Sequence, residues 1–441
     1  MEFPPAQTAG MFRSFEFVKR LPSHGIRPIV LTLEPSKKFF DRPQNPKLLE
    51  ELPDEVEIYR LSDRHYKIPK TKLGWFLRIF FRTMRDDDLY TATRRQAKEL
   101  IQSIRKKHAP QAVIVSIPPF SGSELALDAV DGLECPLIAD FRDGWSQWET
   151  NMFQTKWHCT NMVRLERRFV GRASSVITVT PELTRLFERT NGHAKAAGFH
   201  TIANGHQIDF DQPTESDADV RKPDHVWKIG YVGTYYYNPD LERLAATPWY
   251  RRPLGKQLQY SPLKEEWIYR SPNFFLRALG AFIEKNPEYE KRIEFHHVGD
   301  VPPWLNEMAE EFGVKDNCVF HGFVPKPDAM KLIEEFDGFL CTSMRREDGG
   351  DYCLASKTFD YLRFRKPLLG FVCDGTQKNF LLKSGCSAVC DPDDLNEGVS
   401  VIEDFVNGKI STTPTADFLR GYHLDELTQQ LAEVVKGVTA N

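Results

Sequence analysis

The sequence predicts an α/β protein of two halves, each a parallel sheet covered by helices on both faces. Three observations lead there. Short apolar runs alternate with segments of helical periodicity, regularly from about residue 112 to 203 and again from 227 to 390, and strands joined through helices lie parallel and are buried on both sides. The chain has 441 residues, which suits two domains of about 200 residues each better than one core. Between the two runs, residues 211–225 are polar and charged with two prolines, and read as an interdomain linker.

Composition narrows the function classes. A hydrophobic content of 41% and a charged content of 27% are those of a soluble globular protein. The net charge of −4 gives no basic field for nucleic acid. No run of apolar residues is long enough to span a membrane, and the N-terminus carries no basic-then-apolar signal. Eight cysteines without a Cys-x-x-Cys pair read as reduced thiols of a cytoplasmic protein. Cys386 and Cys390 flank a short strand and read as core fillers.

Taken in order, the chain opens with a helix from about Gly10 to Leu21 and a strand at Ile29–Leu33, and a short strand follows at Val56–Leu61. In residues 73–85, Arg78, Arg82 and Arg85 share one helical face, with Phe76, Phe80, Leu77 and Phe81 on the other side. This segment reads equally as a membrane-surface helix or as a core-packed helix with a solvated face, because each Arg adds only about 1 kcal/mol of attraction to anionic lipid. The acids Asp86 to Asp88 suit the start of a new helix, about Leu89 to Lys107. Strands then fall at Ala112–Ile117, Pro136–Asp140, Ser174–Val179 and Thr201–Ala203, with helices at Ser121–Val130, Trp157–Val170 and Pro181–Arg189 between them. The second half opens on Trp227–Gly233, a strand that runs into glycine, and an aromatic, basic insertion occupies about 235–271. Helices at Pro272–Glu284 and Pro303–Phe312 alternate with strands at Ile293–Val298 and Cys318–His321. A strand ending near Cys341, a helix from Ser356 to Pro367, a strand at Ser387–Cys390 and helices from Leu395 and Ala416 complete the chain.

In such sheets ligands sit at the carboxyl ends of the strands. One end carries Asp140, Arg142, Asp143 and Trp145. Either Arg142 pairs with a neighbouring acid and pins the loop, or the loop faces a ligand and Arg142 or Asp143 meets the reacting group. Another end carries Gly349-Gly350, then Ser356, Lys357 and Asp360 at the start of a helix. An ordinary Ser cap with an acid in the first turn would explain these residues. A nucleotide site would also explain them: backbone N–H groups and Lys357 on a diphosphate, and Asp360 accepting from two ribose hydroxyls. His296 and His297 are adjacent in a strand, point to opposite faces and cannot share a metal ion.

The run Ser356-Lys-x-x-Asp360-Tyr-Leu followed by Arg365-Lys-Pro-Leu-Leu resembles the donor-site segment of GT-B glycosyltransferases of the family-4 type, where Ser-Lys-x-x-Glu-Tyr is common. Asp140-Phe-Arg-Asp-Gly-Trp145 is similar to that family's Asp-Phe-Arg-Asp-Pro-Trp. Val232-Gly-Thr234, Gly322-Phe-Val-Pro325, Glu166, Asn204-Gly205 and the opening Phe3-Pro-Pro with Gly10 and Arg13 match in the same order. The departures are Asp360 for Glu, Lys326 for a frequent His, and Tyr352 where the family often has a second acid.

The resemblance implies two Rossmann-like domains facing a cleft: an acceptor-binding domain at 1–212, a nucleotide-sugar domain at 226–405, and a C-terminal helical segment at 406–441 that crosses back to the first. It implies that the family's first strand is missing ahead of Phe3, through a start lying upstream or a sheet that dispenses with it. It implies retaining, metal-independent transfer of a sugar from a nucleotide-sugar, without further cofactor, to a saccharide or lipid-linked acceptor at the cytoplasmic membrane surface, with 73–85 as a possible contact. Lys357, with Asp143 and Arg142, would serve catalysis. Gly233, Thr234, Arg270, Phe323, Val324, Gly349, Gly350, Ser356 and Asp360 would hold the donor, Arg277 being a second basic candidate. Gly10, Arg13, Asp140 and Trp145 would face the acceptor. A non-catalytic GT-B-like scaffold and a nucleotide-sugar epimerase are the alternatives.

Overall fold

The computed structural model describes residues 3–35, 43–62, 70–74, 77, 87–131, 135–146, 153–192, 198–208, 224–324, 326–347, 349 and 351–440. Nearly all of the expected linker, most of 73–85, Gly350 and Asp209-Phe210 lie outside the described residues. The chain forms two compact units, one of residues 1–205, 249–262 and 422–441, the other of 206–248 and 263–421.

In the first unit, β1 (Ile29–Leu33) pairs in parallel with β2 (Glu57–Leu61). A separate parallel sheet runs β3 (Val113–Ile117), β4 (Leu137–Phe141), β5 (Ser175–Thr178) and β6 (Gly198–Thr201), in that order. Among the described residues no strand precedes Ile29. The doubly wound order 3-2-1-4-5 would put a first strand between β1 and β3, and the division into two sheets falls at that place. β3 is left as an edge, and its Ile114 keeps 39% of its surface in water, whereas all five residues of β4 are buried. β6 lies earlier than the expected Thr201–Ala203 because Ser175 pairs with Gly198 and Thr178 with Thr201.

The helices of this unit are α1 (Ala9–Arg20), α2 (Asp87–His108), α3 (Gly122–Val130), α4 (Lys156–Arg172) and α5 (Pro181–Asn191). Thr8, Thr155 and Thr180 cap α1, α4 and α5, each accepting from the N–H three residues on, at about 1 kcal/mol apiece. Phe17 and Leu21 pack with Ile138 of β4, Ile177 of β5 and Leu427 and Leu431 of the C-terminal helix Leu424–Thr439. Residues 249–262 also belong here, through the antiparallel bridge of Tyr260 to Phe153. That stretch lay inside the insertion assigned by sequence to the second domain.

The second unit is one six-stranded parallel sheet of β7 (Trp227–Val232), β8 (Ile293–Val298), β9 (Cys318–Gly322), β10 (Gly338–Thr342), β11 (Leu368–Phe371) and β12 (Ser387–Cys390). Its strand order is β12-β11-β10-β7-β8-β9. The order reverses between β7 and β10, which is where doubly wound sheets open a ligand crevice. Phe275, Phe295, Phe371 and Phe405 centre the core. Gly230 of β7 has no room for a side chain, since a Cβ there would stand 2.0 Å from the ring of Phe336. Strand β11 and the helices Lys326–Glu334 and Thr376–Ser384 were not separated by sequence. The helix opened by Ser356 ends at Leu362, well short of Pro367.

Candidate functional site

The reversal point of the second unit carries Gly233 at the end of β7 and Lys357 in the first turn of the short helix Ser356–Leu362. Tyr361 of that helix stacks on Phe339 of β10 with ring centres 4.4 Å apart, and its hydroxyl accepts from the N–H of Val232 at 2.9 Å. The helix is thereby tied to β7 and β10 together. Gly233 has φ +108°, and a methyl group on it would approach Lys357 Nζ to 3.4 Å. Only glycine takes this backbone form easily, and it brings the chain close to the ammonium.

Lys357 Nζ donates to the Tyr231 hydroxyl at 2.6 Å and lies 3.8 Å from the centre of that ring. The side chain keeps partial exposure along its length, but its ammonium end is enclosed. Desolvation there pushes its pKa down from 10.5 to about 7, with the nearby Cys341 opposing the shift. Tyr231 stacks on Tyr235 at 3.9 Å, and Tyr235 stacks on His297 at 5.0 Å. Burial raises the pKa of both tyrosines and lowers that of His297. No described carboxylate lies within ion-pair distance of Lys357.

Arg270, expected from the sequence at the diphosphate, has a carboxylate partner in the structure. Its guanidinium donates to the buried Glu265 and lies over the ring of Tyr236. Burial works against its charge, and Glu265 more than offsets this, so its pKa is raised. Arg277 is also committed, donating to the Pro392 carbonyl at 3.0 Å. Nearby, Asp351 is buried, accepts from Cys353 N–H at 2.7 Å, and is pushed up to about 7 by desolvation against the pull of Arg270.

The remaining donor-side residues are placed as follows. Thr234, Ser356 and Asp360 are exposed, Phe323 is 89% exposed and Val324 partly so. Ser356 is the first helical residue, and the cap is Ala355, which makes no side-chain bond. Gly349 takes φ +80° in a turn closed onto the Arg346 carbonyl. His296 bonds Glu294 and His321, while His297 bonds the Asp300 carbonyl, in keeping with opposite faces. Among the described residues no three His, Cys, Asp or Glu side chains converge as a metal-ion set.

In the first unit, the acceptor-side expectations are mostly corrected. Arg13 pairs with Asp140 at 2.9 Å with both side chains buried, and it also donates to the carbonyls of Ile202 and Ala203. Ser116 completes Asp140 at 2.9 Å. The pair therefore clamps α1 to β4 and to the chain after β6. Trp145 is 0% exposed, stacked on Phe120 at 5.2 Å and edge-on to Phe169, so it is core. Arg142 donates to the carbonyls of Gly10 and Pro118 and pins the loop, and Gly10 lies against that guanidinium. Asp143 is the exposed member of this strand end. Glu166 is buried, accepting from Ser146 N–H at 2.7 Å and from Asn191 at 2.9 Å.

No protein-family model matches the chain, and no curated protein sequence matches it significantly. Solved structures do resemble it. HepE of Anabaena, in complex with UDP and glucose, is 13% identical, aligns over 99% of this chain and 98% of its own, and gives a TM-score of 0.55. Sucrose-phosphate synthase of Thermosynechococcus elongatus is 10% identical over 96% of this chain and 92% of its own, with a TM-score of 0.57. WaaG, a glycosyltransferase involved in lipopolysaccharide biosynthesis, is 13% identical over 99% and 98%, with a TM-score of 0.51. At these identities the likeness is one of fold, and the fold is GT-B, two Rossmann-like units in one chain.

Proposed function

We propose that the protein is a glycosyltransferase that moves a sugar from a nucleotide-sugar to an acceptor hydroxyl. The observation that carries this is the enclosed Lys357 ammonium, held by a tyrosine hydroxyl beside Gly233 at the reversal point of the second sheet. As the bond from the anomeric carbon to the phosphate oxygen breaks, its electron pair goes to the leaving diphosphate. Lys357 meets that charge in a water-poor setting, where a fixed cation counts for most. This serves in place of a metal ion, and the reaction is metal-independent on this reading. Asp360, exposed one turn beyond Ser356, takes the ribose hydroxyls. Asp143 of the first unit meets a saccharide or lipid-linked acceptor, and the anomeric configuration is retained. The protein works at the cytoplasmic face of a membrane.

The fold likeness to HepE, whose structure holds UDP and glucose, supports the donor class. The test is a thermal-shift panel of uridine, guanosine and thymidine diphosphates on wild type, Lys357→Ala and Asp360→Ala. Ligand at 100 times its dissociation constant adds about 2.7 kcal/mol, or several degrees. One base should shift wild type and neither variant. No shift with any base, on folded protein, would refute the donor site. A scaffold without turnover is favoured by two observations: Arg270 is neutralised by Glu265, and Tyr352 is buried where the resembling family has an acid. Release of free nucleoside diphosphate from the nucleotide-sugar separates the two.

A further inference from the structure

The segment 249–259 of the first unit gathers exposed large apolar side chains. Trp249, Tyr250, Leu254 and Leu258 are 64%, 60%, 91% and 70% exposed within ten residues of chain. The segment is nevertheless ordered by its own backbone. Arg252 N–H bonds the Trp249 carbonyl, Lys256 N–H the Pro253 carbonyl, and Gln259 N–H the Lys256 carbonyl. The Arg252 guanidinium reaches the Gln259 carbonyl at 3.2 Å and ties the two ends together. Gly255, at φ +90°, turns the tip beside Leu254. The base is fixed by paired backbone hydrogen bonds of 2.9 and 3.0 Å between Phe153 and Tyr260, and Lys156 lies over the Tyr260 ring. Next to Lys156, Trp157 is 52% exposed.

The backbone of the loop is thus held by its own hydrogen bonds while its large apolar side chains lie in water. Four large apolar groups on one short loop make a patch that a protein kept wholly in water would avoid. The charges around them choose the occupant. From Leu244 to Lys264 there is no Asp or Glu, and Arg251, Arg252 and Lys256 fall among the exposed apolar residues, although the whole chain is net acidic at −4. Trp and Tyr favour the headgroup level of a bilayer, leucines insert just below it, and cations are drawn to anionic lipid. We propose that the loop 249–259 is an interfacial anchor that docks the first unit on an anionic bilayer surface. This is separate from the stretch 73–85 and does not depend on the proposed reaction.

The test is flotation of the full chain with vesicles of phosphatidylcholine alone and of equimolar phosphatidylcholine and phosphatidylglycerol. Wild type should float with the anionic vesicles only, and less as salt is raised. The triple variant Trp249→Ala, Leu254→Ser, Leu258→Ser and the double variant Arg251→Gln, Lys256→Gln should each lose roughly tenfold or more in partitioning. Because these side chains are exposed, both variants should melt with wild type, and the Trp249 fluorescence should shift to the blue on vesicle binding. Absence of wild-type flotation, equal flotation with neutral vesicles, or a triple variant that floats like wild type would overturn the proposal. So would a wild-type oligomer that the triple variant turns into monomer, since the patch would then be covered by protein.

Discussion

Replacing Lys357 with Met should make the unliganded protein more stable and, under the proposed function, remove nucleotide binding. Burial lowers the pKa of this amine from 10.5 to about 7. At roughly 1.36 kcal/mol per unit, that is a penalty of at most about 4–5 kcal/mol. The side chain keeps some contact with water and the Tyr231 ring returns part of the cost, so about 2 kcal/mol is the working figure. The sign follows from proton counting. Between about 7 and 10.5 the unfolded chain holds the proton more fully than the folded one, so stability rises with pH there. The penalty is complete below pH 7 and fades towards 10.5. Lys357→Met escapes it, and Met is close in length and apolar. The variant should melt about 4–8 °C higher near neutrality, with roughly half that gain near pH 9. Thermal denaturation without ligand, followed across this range, reads both numbers. A variant that melts with or below wild type at pH 7, or whose gain does not shrink with rising pH, would refute the reasoning. Under the proposed function, the same coupling should make wild type take up a proton when a nucleoside diphosphate binds above pH 7. Its calorimetric heat should therefore vary with the ionisation enthalpy of the buffer.

Arg13→Ala leaves Asp140 buried without its partner and should cost about 3–5 kcal/mol in urea denaturation, with donor binding unchanged in whatever stays folded. Glu265→Ala strands the Arg270 guanidinium, whose side chain is only 15% exposed, and should cost roughly 2–4 kcal/mol by the same measurement. Asp143→Asn, at an exposed position, should leave the melting temperature alone. Under the proposed function it should lower the transfer rate roughly 100-fold or more, with the donor dissociation constant unmoved.

Local patterns carried most of the fold. The caps Thr8, Thr155 and Thr180 stand directly before the helices they start, and all five residues of β4 are buried, as in a strand covered on both faces. Strand β11 was lost because its four buried residues follow a helix that ends earlier than Pro367 suggests. The site was legible in part. Lys357 and Gly233 stand out by residue type, but the Tyr231 hydroxyl that holds the ammonium is 126 residues away in sequence. The Arg13–Asp140 clamp spans 127 residues, so two charged residues at strand and helix ends read as ligand contacts when each was the other's partner. Trp145 failed differently. A tryptophan between glycine and serine carries no burial pattern, and only the aromatic packing of Phe120 and Phe169 shows where it goes.

These errors share a cause, and it bears on the proposed chemistry. Sequence marks where cations are, but it does not show which of them are already neutralised or bonded. Arg270 and Arg277 met the requirement for a phosphate contact by type and place, and Arg142 that for a contact to the reacting group. The fold gives two of them to backbone carbonyls and one to Glu265. Lys357 has no carboxylate partner among the described residues and is not held fully charged, because burial leaves its pKa at about 7. An arginine in its place would be charged at all times and would attract any small anion. An amine poised near neutrality becomes a firm cation only when a ligand brings enough negative charge to hold the proton. A diphosphate does so, and a neutral sugar does not. Under the proposed function, the lowered pKa of Lys357 would favour a diphosphate over a neutral ligand at this point.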